Sequence, residues 1–289
     1  MKVFISDIKE SWIVDRFRKE WYLYNPEIST EKIRQADVIW IIAPWELKKF
    51  TKRHYINKKV ICTVHHLDFD KFDSIEKARF MKLDKFVDEY HTISEKSFDQ
   101  LSSITNKKIN VIPFWVNQNL WFEKLNKKEI RKDLGFSDED YLIGSFQRDT
   151  EGEDLESPKL IKGPDIFIEA IEKIYKKKNN LKVVLAGKRR QYVIKKLEEK
   201  KIPYVYFEMI DLDKLNNLYN ILDLYIVSSR IEGGPQAIFE CAASMTPIIS
   251  TDVGIASKIL NKKSIYNHSE VEVASPDVEH AYKKVSQTT

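Results

Sequence analysis

From Arg230 to Gly254 the chain reads RIEGGPQAIFECAASMTPIISTDVG. The apolar stretch DLYIVSS (Asp223 to Ser229) that precedes it reads as a short buried strand. Gly233 and Gly234 then permit a tight turn, and Pro235 takes the first position of a helix that runs to about Met245. Thr246 and Pro247 end that helix, and PIISTDVG returns as a further strand closed by Gly254. Strand, turn, helix and strand in this order is the repeating unit of a parallel α/β sheet. The backbone N–H groups of Gly234 and of Gln236 to Ile238 are expected to be open donors at the positive end of the helix dipole, where a phosphate is stabilised. Glu232 falls in the mouth of the turn and Glu240 one to two turns into the helix, where carboxylates accept hydrogen bonds from vicinal hydroxyls. An anion seat flanked by two hydroxyl acceptors suits a nucleotide sugar.

Working outward, the eight glycines all lie at or beyond Gly135, so the two halves differ in character. In the first half, KVFIS, DVIWIIAPW, KVICTVHH, EYHTIS and NVIPFWV read as strands, each followed by a polar helical stretch. Continuous apolar runs separated by helices predict a parallel sheet covered on both faces. NLWFEKLNKKEIRKDLGF (Asn119 to Phe136) reads as a linking helix, after which the pattern restarts with YLIGSFQR, KVVLAG, YVYFEM and DLYIVSS. Two α/β domains are therefore expected, residues 1–125 and 126–289.

Composition limits the function classes. At 289 residues, 43% hydrophobic and 12% aromatic, the chain has enough apolar surface for two modest cores. Its net charge of +4 is spread along the chain and forms no clustered cationic groove of the kind that would mark a nucleic-acid partner. Cys62 and Cys241 each stand inside an apolar run and read as buried thiols of a reducing compartment. The opening MKVFISD enters a strand directly, so a cytoplasmic protein without a signal peptide or membrane span is expected. Peripheral contact with the inner face of the membrane would need a basic amphipathic element. In SWIVDRFRKEWYLY, Trp12, Phe17, Trp21 and Tyr24 alternate with Arg16, Arg18 and Lys19, although packing of that helix on its own sheet accounts for the same aromatics.

The Arg230 to Gly254 segment resembles the Glu, seven residues, Glu signature of retaining GT-B glycosyltransferases, specifically glycosyltransferase family 4. Turn, small-residue helix, TPIIS strand and terminal glycine are all in register with it. The resemblance implies two Rossmann-like parallel-sheet domains facing a cleft, with the N-terminal one smaller than usual. GSFQRDTEGEDLESPKLIKGPDIFIEAI resembles the same family's GR…KG element, which makes Arg148 and Lys162 the cations for the donor diphosphate. The gap between them is longer than usual and acidic, which keeps Lys159 as an alternative to Lys162. YVYFEMIDLDKL resembles the edge of the base pocket and assigns Met209 and Ile210 to the nucleobase. ICTVHHLDFD resembles the strand whose histidine touches the donor sugar, with His65 the first candidate and His66 the second. HTISEKSFDQL and INVIPFWVN resemble further elements of that half, but VFISDIKESW lacks the glycine-rich loop common in relatives.

The implied site comprises Glu232, Arg148, Lys162 and His65 around the reaction, and Gly233, Gly234, Pro235, Gln236 and Glu240 around the donor. The implied activity is transfer of a hexose-type sugar, with retention, from a nucleoside-diphosphate sugar to a glycan, lipid-linked or other acceptor. Surface polysaccharide or glycoconjugate synthesis is the expected setting. No cofactor and no metal are expected, because arginine, lysine and helix dipole stand in for a divalent ion. Asp68-Phe69-Asp70 and Asp211-Leu212-Asp213 match a metal-binding Asp-x-Asp only as three-residue patterns. A GT-B nucleotide-sugar epimerase, a nucleic-acid glucosyltransferase and a non-catalytic nucleotide-sugar-binding module are the alternatives.

Overall fold

The computed structural model describes residues 1–9, 13–268 and 270–287, so Trp12 lies outside the described residues. The chain forms two compact units, Met1–Pro113 and Phe114–Thr289.

In the first unit the strands β1 (Val3–Ile5), β2 (Val38–Ile41), β3 (Lys59–Thr63), β4 (Glu89–Thr92) and β5 (Lys108–Val111) form one parallel sheet in sequential order. The helices are α1 (Ile13–Tyr24), α2 (Lys52–Tyr55), α3 (Ser74–Asp84) and α4 (Glu95–Ser102). Side chains on one face of the strands, Phe4, Ile39, Ile41, Val60, Cys62 and Tyr90, pack with Leu47, Tyr55 and Leu101 into a core. The opposite face takes α1, whose Trp21 sits edge-on to Trp40 of β2 at 5.4 Å between ring centroids. This is the packing of the aromatic helix on its own sheet.

The sequential order conceals a reversal. Val3 also forms an isolated parallel bridge with Ser29, on the edge of β1 away from β2, and Thr30 N donates to Val3 O at 3.0 Å. The chain therefore leaves β1, crosses α1 to a one-residue pairing on the outer edge, and returns to the opposite side as β2. Sheets that change winding direction leave a crevice at the C-terminal ends of the strands flanking the change.

The second unit contains β6 (Tyr141–Ser145), β7 (Leu181–Ala186), β8 (Tyr204–Phe207), β9 (Leu224–Val227), β10 (Ile248–Thr251) and β11 (Ile265–Tyr266), parallel in the order β11-β10-β9-β6-β7-β8. Winding runs from β6 out to β8, then crosses back to β9 and on to β11. The reversal falls between β6 and β9, the dinucleotide-fold order. Its helices are α5 (Lys127–Asp133), α6 (Pro164–Tyr175), α7 (Gln191–Glu199), α8 (Leu212–Ile221), α9 (Gln236–Ala243), α10 (Ala256–Ile259) and α11 (Val278–Ser286). Ile143, Val183, Leu185, Ile226 and Ile249 of the strands meet Phe167, Ile171, Val193 and Leu197 of α6 and α7 in the core.

Two sequence expectations are corrected. The linking helix over Asn119 to Phe136 shrinks to α5, because a turn at Asn117 accepts from Leu120 N and Trp121 N, and Asn126 restarts the helix. Trp121 is instead fully buried, 5.5 Å from Tyr219, and anchors this segment in the second unit. Helix α9 begins at Gln236 with Pro235 as its N-cap, one residue later than expected.

Candidate active site

Two loops flank the reversal of the second sheet. One follows β6 and carries Gln147, Arg148, Lys159 and Lys162; the other follows β9 and carries Ser229, Glu232 and the Gly-Gly-Pro turn. Strand geometry alone brings these distant stretches together, since β6 and β9 are hydrogen-bonded neighbours.

Lys162 Nζ and Glu232 form an ion pair, with side chains only 17% and 12% exposed. Ser229 Oγ lies 3.2 Å from Glu232 Oε1 and 3.2 Å from Gln147 Oε1. Gln147 Nε2 donates to Lys162 O at 2.8 Å, and Ser228 Oγ to the same oxygen at 3.3 Å. The backbone fit is close: Gly163 has φ +60°, and a Cβ there would meet Ser228 O at 1.8 Å. Only glycine allows the lysine loop to rest on the end of β9 in this conformation. Arg230 completes the joint with a bidentate pair to Asp165 at 2.7 and 2.6 Å and a bond to Leu160 O at 2.9 Å. This pair holds the Asp165 carboxyl below its ordinary range, chiefly through hydrogen bonding.

The acidic insert is an ordered hairpin. Thr150 bridges Pro158, Glu151 N donates to Ser157 O at 2.9 Å, and Lys159 N donates to Asp149 O at 2.8 Å. Asp154 accepts from Glu156 N and Ser157 N at the tip. At the root, buried Asp149 pairs with buried Arg190 at 2.9 Å, and Arg190 also donates to Ser145 O and Ala186 O at the ends of β6 and β7. Folding the insert back turns Lys159 inward. Burial, then the like charges of Arg148 and Lys162, lower its pKa to about 8 against the opposing pull of Glu151 and Glu232. Lys159 and Lys162, alternatives in the sequence, thus stand in one electrostatic cluster with exposed Arg148 and with Glu232.

Beyond the turn, Gly254 has φ +51° and would place a Cβ 2.3 Å from Gly233 O, so the end of β10 supports the glycine loop directly. Thr251 Oγ1 donates to Ser229 O at 2.6 Å. Ile238 N bonds to Pro235 O at 2.9 Å, which removes it from the donors expected to be open. Gln236 Nε2 is turned to Trp115 O at 2.9 Å. Glu240 is 5% exposed, and its Oε2 accepts from Tyr219 Oη at 2.7 Å. Burial and the Glu240 charge push the Tyr219 phenol far up, so it remains a donor. Met209 is exposed and Ile210 half-buried in the loop after β8, at the outer edge of this sheet.

His65 and His66 belong to the first unit, directly after β3. The His65 ring donates from Nε2 to Ile42 O at 2.9 Å, and its carbonyl accepts from Ser97 Oγ at 3.0 Å. The Asp-x-Asp stretch at Asp211 is structural: Asp211 caps α8 by accepting from Lys214 N, and Asp213 pairs with Lys124 at 2.8 Å. Among the described residues no group of three or more His, Cys, Asp or Glu side chains is placed to hold a metal ion. Both cysteines are buried free thiols whose pKa burial raises.

Sequence reading did not single out Gln147, Ser229, Tyr219 or the Asp149–Arg190 pair. The available signal for Tyr219 was a polar stripe, Asn216, Tyr219 and Asn220, where the spacing of α8 required a buried face.

Over their whole fold the two units are similar to HepE of Anabaena crystallised with UDP, at TM-score 0.77 and 14% identity, covering 100% of this chain and 95% of that one. HepE with UDP-glucose gives 0.78 at 13%, covering 99% and 94%. Sucrose-phosphate synthase of Thermosynechococcus elongatus gives 0.69 at 15%, covering 98% and 76%. At these identities the likeness establishes the fold, GT-B, with two parallel-sheet α/β domains. No curated protein sequence is significantly similar. The model of the family described as glycosyl transferases group 1 matches residues 126–287, which lie in the unit that holds the ion-pair cluster and make up more than half of the sequence. The chain belongs to the glycosyl transferases group 1 family.

Proposed function

We propose that this glycosyltransferase is a retaining, family 4 enzyme that moves a hexose-type sugar from a nucleoside-diphosphate sugar to a glycan, lipid-linked or other acceptor. A cytoplasmic enzyme of surface polysaccharide or glycoconjugate synthesis fits this reading. The observation that supports it most is the cluster of Arg148, Lys159, Lys162 and Glu232 at the reversal between β6 and β9. Three cations around one carboxylate have no structural need of one another, but they suit a ligand that carries two phosphates beside a polyol.

In this reading the donor diphosphate lies over Gly233, Gly234 and the start of α9 and draws Lys162 away from Glu232. Glu232 is then available to the sugar hydroxyls, while Glu240 takes the ribose diol and the base lies toward Met209 and Ile210. The bond from the anomeric carbon to the diphosphate oxygen breaks as the acceptor oxygen bonds on the same face. The acceptor's proton passes to the leaving oxygen. Arg148, Lys162 and Lys159 stabilise the charge that grows on that oxygen, a preorganised electrostatic contribution that needs no divalent ion. The sugar contact carried over from the family to His65, with His66 as the alternative, is tested by His65→Ala. HepE was captured with UDP and UDP-glucose, which makes UDP-sugars the first donors to try.

The test is an NMR-monitored transfer assay with UDP-hexoses and oligosaccharide acceptors. A new glycosidic bond with the donor's anomeric configuration is expected, and turnover by Arg148→Ala or Lys162→Ala is expected to fall about a hundredfold. An inverted product would overturn retention, undiminished turnover in both variants would overturn the diphosphate assignment, and an epimer formed from donor alone would redirect the reading to an epimerase.

A further inference from the structure

Two ionisable side chains in the second unit are buried against each other without any need of the fold for them. Glu240 of α9 is 5% exposed and Tyr219 of α8 is 2% exposed. Their hydrogen bond, Tyr219 Oη to Glu240 Oε2 at 2.7 Å, joins the two buried helix faces. A buried carboxylate and phenol are costly relative to a leucine and a phenylalanine of similar volume, so core formation does not account for the pair.

The tyrosine is also held unusually firmly. Its ring lies 4.9 Å from Phe146, 5.5 Å from Trp121 and 5.5 Å from Tyr225 between centroids. Its carbonyl accepts from Thr246 Oγ1 at 2.9 Å, fixing the last turn of α8 to the loop after α9. Phe146, which follows β6 directly, is pinned in turn, because its N–H donates to Tyr225 Oη at 2.9 Å. One turn away Ser244 Oγ donates to Asn216 Oδ1 at 3.0 Å, a second polar link between the same helices. The phenol oxygen is thereby a fixed point in the frame of β6, α8 and α9.

We propose that Tyr219 is a positioning residue for ribose recognition: by donating to Glu240 Oε2 it fixes the plane of the carboxylate, so that Glu240 meets the ribose diol in one orientation. This rests on the assignment of Glu240 to the ribose made above. A carboxylate free to rotate about its terminal torsion samples a broad range, and one strong donor on one oxygen removes that freedom. The consequence is selectivity. A site with a preset acceptor rejects an analogue that lacks the hydroxyl, because the bond that the hydroxyl would make to the buried carboxylate is lost.

The test compares binding of UDP, 2′-deoxy-UDP and 3′-deoxy-UDP by titration calorimetry to the full chain and to Tyr219→Phe. GDP, ADP or CDP and their deoxy forms replace them if thermal shift selects another base. Wild type is expected to prefer the ribonucleotide by roughly tenfold or more over at least one deoxy form. Tyr219→Phe is expected to lose most of that preference while keeping its affinity for the deoxy form. Undiminished discrimination by Tyr219→Phe would overturn the positioning role and leave the Glu240 assignment standing. Absence of discrimination in wild type, or of any nucleotide binding, would remove the assignment itself and the proposal with it. Should Tyr219→Phe not fold, the double variant Tyr219→Phe/Glu240→Gln removes the buried charge together with the phenol. If tyrosine acts through the carboxylate, this double variant discriminates like Glu240→Gln alone, and a further loss would contradict the proposal.

Discussion

At the scale of single residues the site is a problem in charge. Lys162 and Glu232 form a part-buried ion pair, while half-buried Lys159 lies close enough to Arg148 and Lys162 that burial and their like charges lower its pKa to about 8. An added diphosphate favours the charged form of Lys159, so binding above that pKa must bring a proton with it. Donor affinity is therefore expected to hold below about pH 8 and to weaken as pH rises beyond it. Lys159→Met should bind more weakly at neutral pH and lose this dependence, which titration across pH 7 to 9.5 in buffers of different ionisation enthalpy reads directly. Glu232 and Glu240 were legible in the sequence because their spacing is local, inside one turn and helix. Ser229, Gln147 and Tyr219 were not, because each acquires its role only from contacts made across strands β6 and β9 or between α8 and α9. No periodicity encodes those contacts.

Elements place these residues through unusual backbone geometry rather than through helix propensity. The hairpin between Asp149 and Lys159 returns the chain to the sheet, Arg190 fixes its root, and Gly163 lets the loop rest on Ser228. Gly163→Ala puts a side chain into a left-handed conformation and against a carbonyl. Stability is expected to fall by more than about 1 kcal/mol. Donor affinity should fall too, because Lys162 is the preceding residue; denaturant midpoints and nucleotide titration measure the two effects separately. The strand-turn-helix at Gly233 was legible from glycine, proline and the apolar run, with an error of one residue at the start of α9. The extent of the linking helix was not, because its helix-forming lysines and glutamates outweigh, in a local reading, the tertiary demand that buries Trp121. The insert read only as acidic and long; its hairpin is rooted by a buried ion pair with Arg190, which lies in the connection from β7 to α7.

At the scale of the molecule, both sheets wind in two directions, but by different means. The second reverses between full strands, while the first reverses through the single bridge at Ser29. The parallel strands were legible as apolar runs except β11, whose two residues, Ile265 and Tyr266, are too few to form one. The Ser29 pairing was not, since one bridged residue leaves no pattern. The first unit also carries a buried polar chain: Trp40 Nε1 donates to Thr63 Oγ1 at 2.8 Å, Thr63 meets His91 Nδ1 at 2.9 Å, and His91 Nε2 donates to Ile112 O at 2.7 Å. Burial lowers the His91 pKa below 6.5. Because the folded form resists protonation, the unfolded chain binds the proton first, and stability should decline as pH falls through about 6.5. Denaturant midpoints at pH 7.5 and 5.5 are expected to fall less in His91→Gln than in wild type. The reversal in the second unit is where a nucleoside-diphosphate sugar is proposed to sit. The most direct test is the melting temperature of the whole chain with UDP-, GDP-, ADP- and CMP-linked sugars, for wild type, Lys162→Ala and Glu240→Ala. One donor at a hundredfold excess over Kd is expected to stabilise wild type by about 2.7 kcal/mol and both variants far less. No shift with any donor, or the same shift in all three proteins, would contradict the assignment.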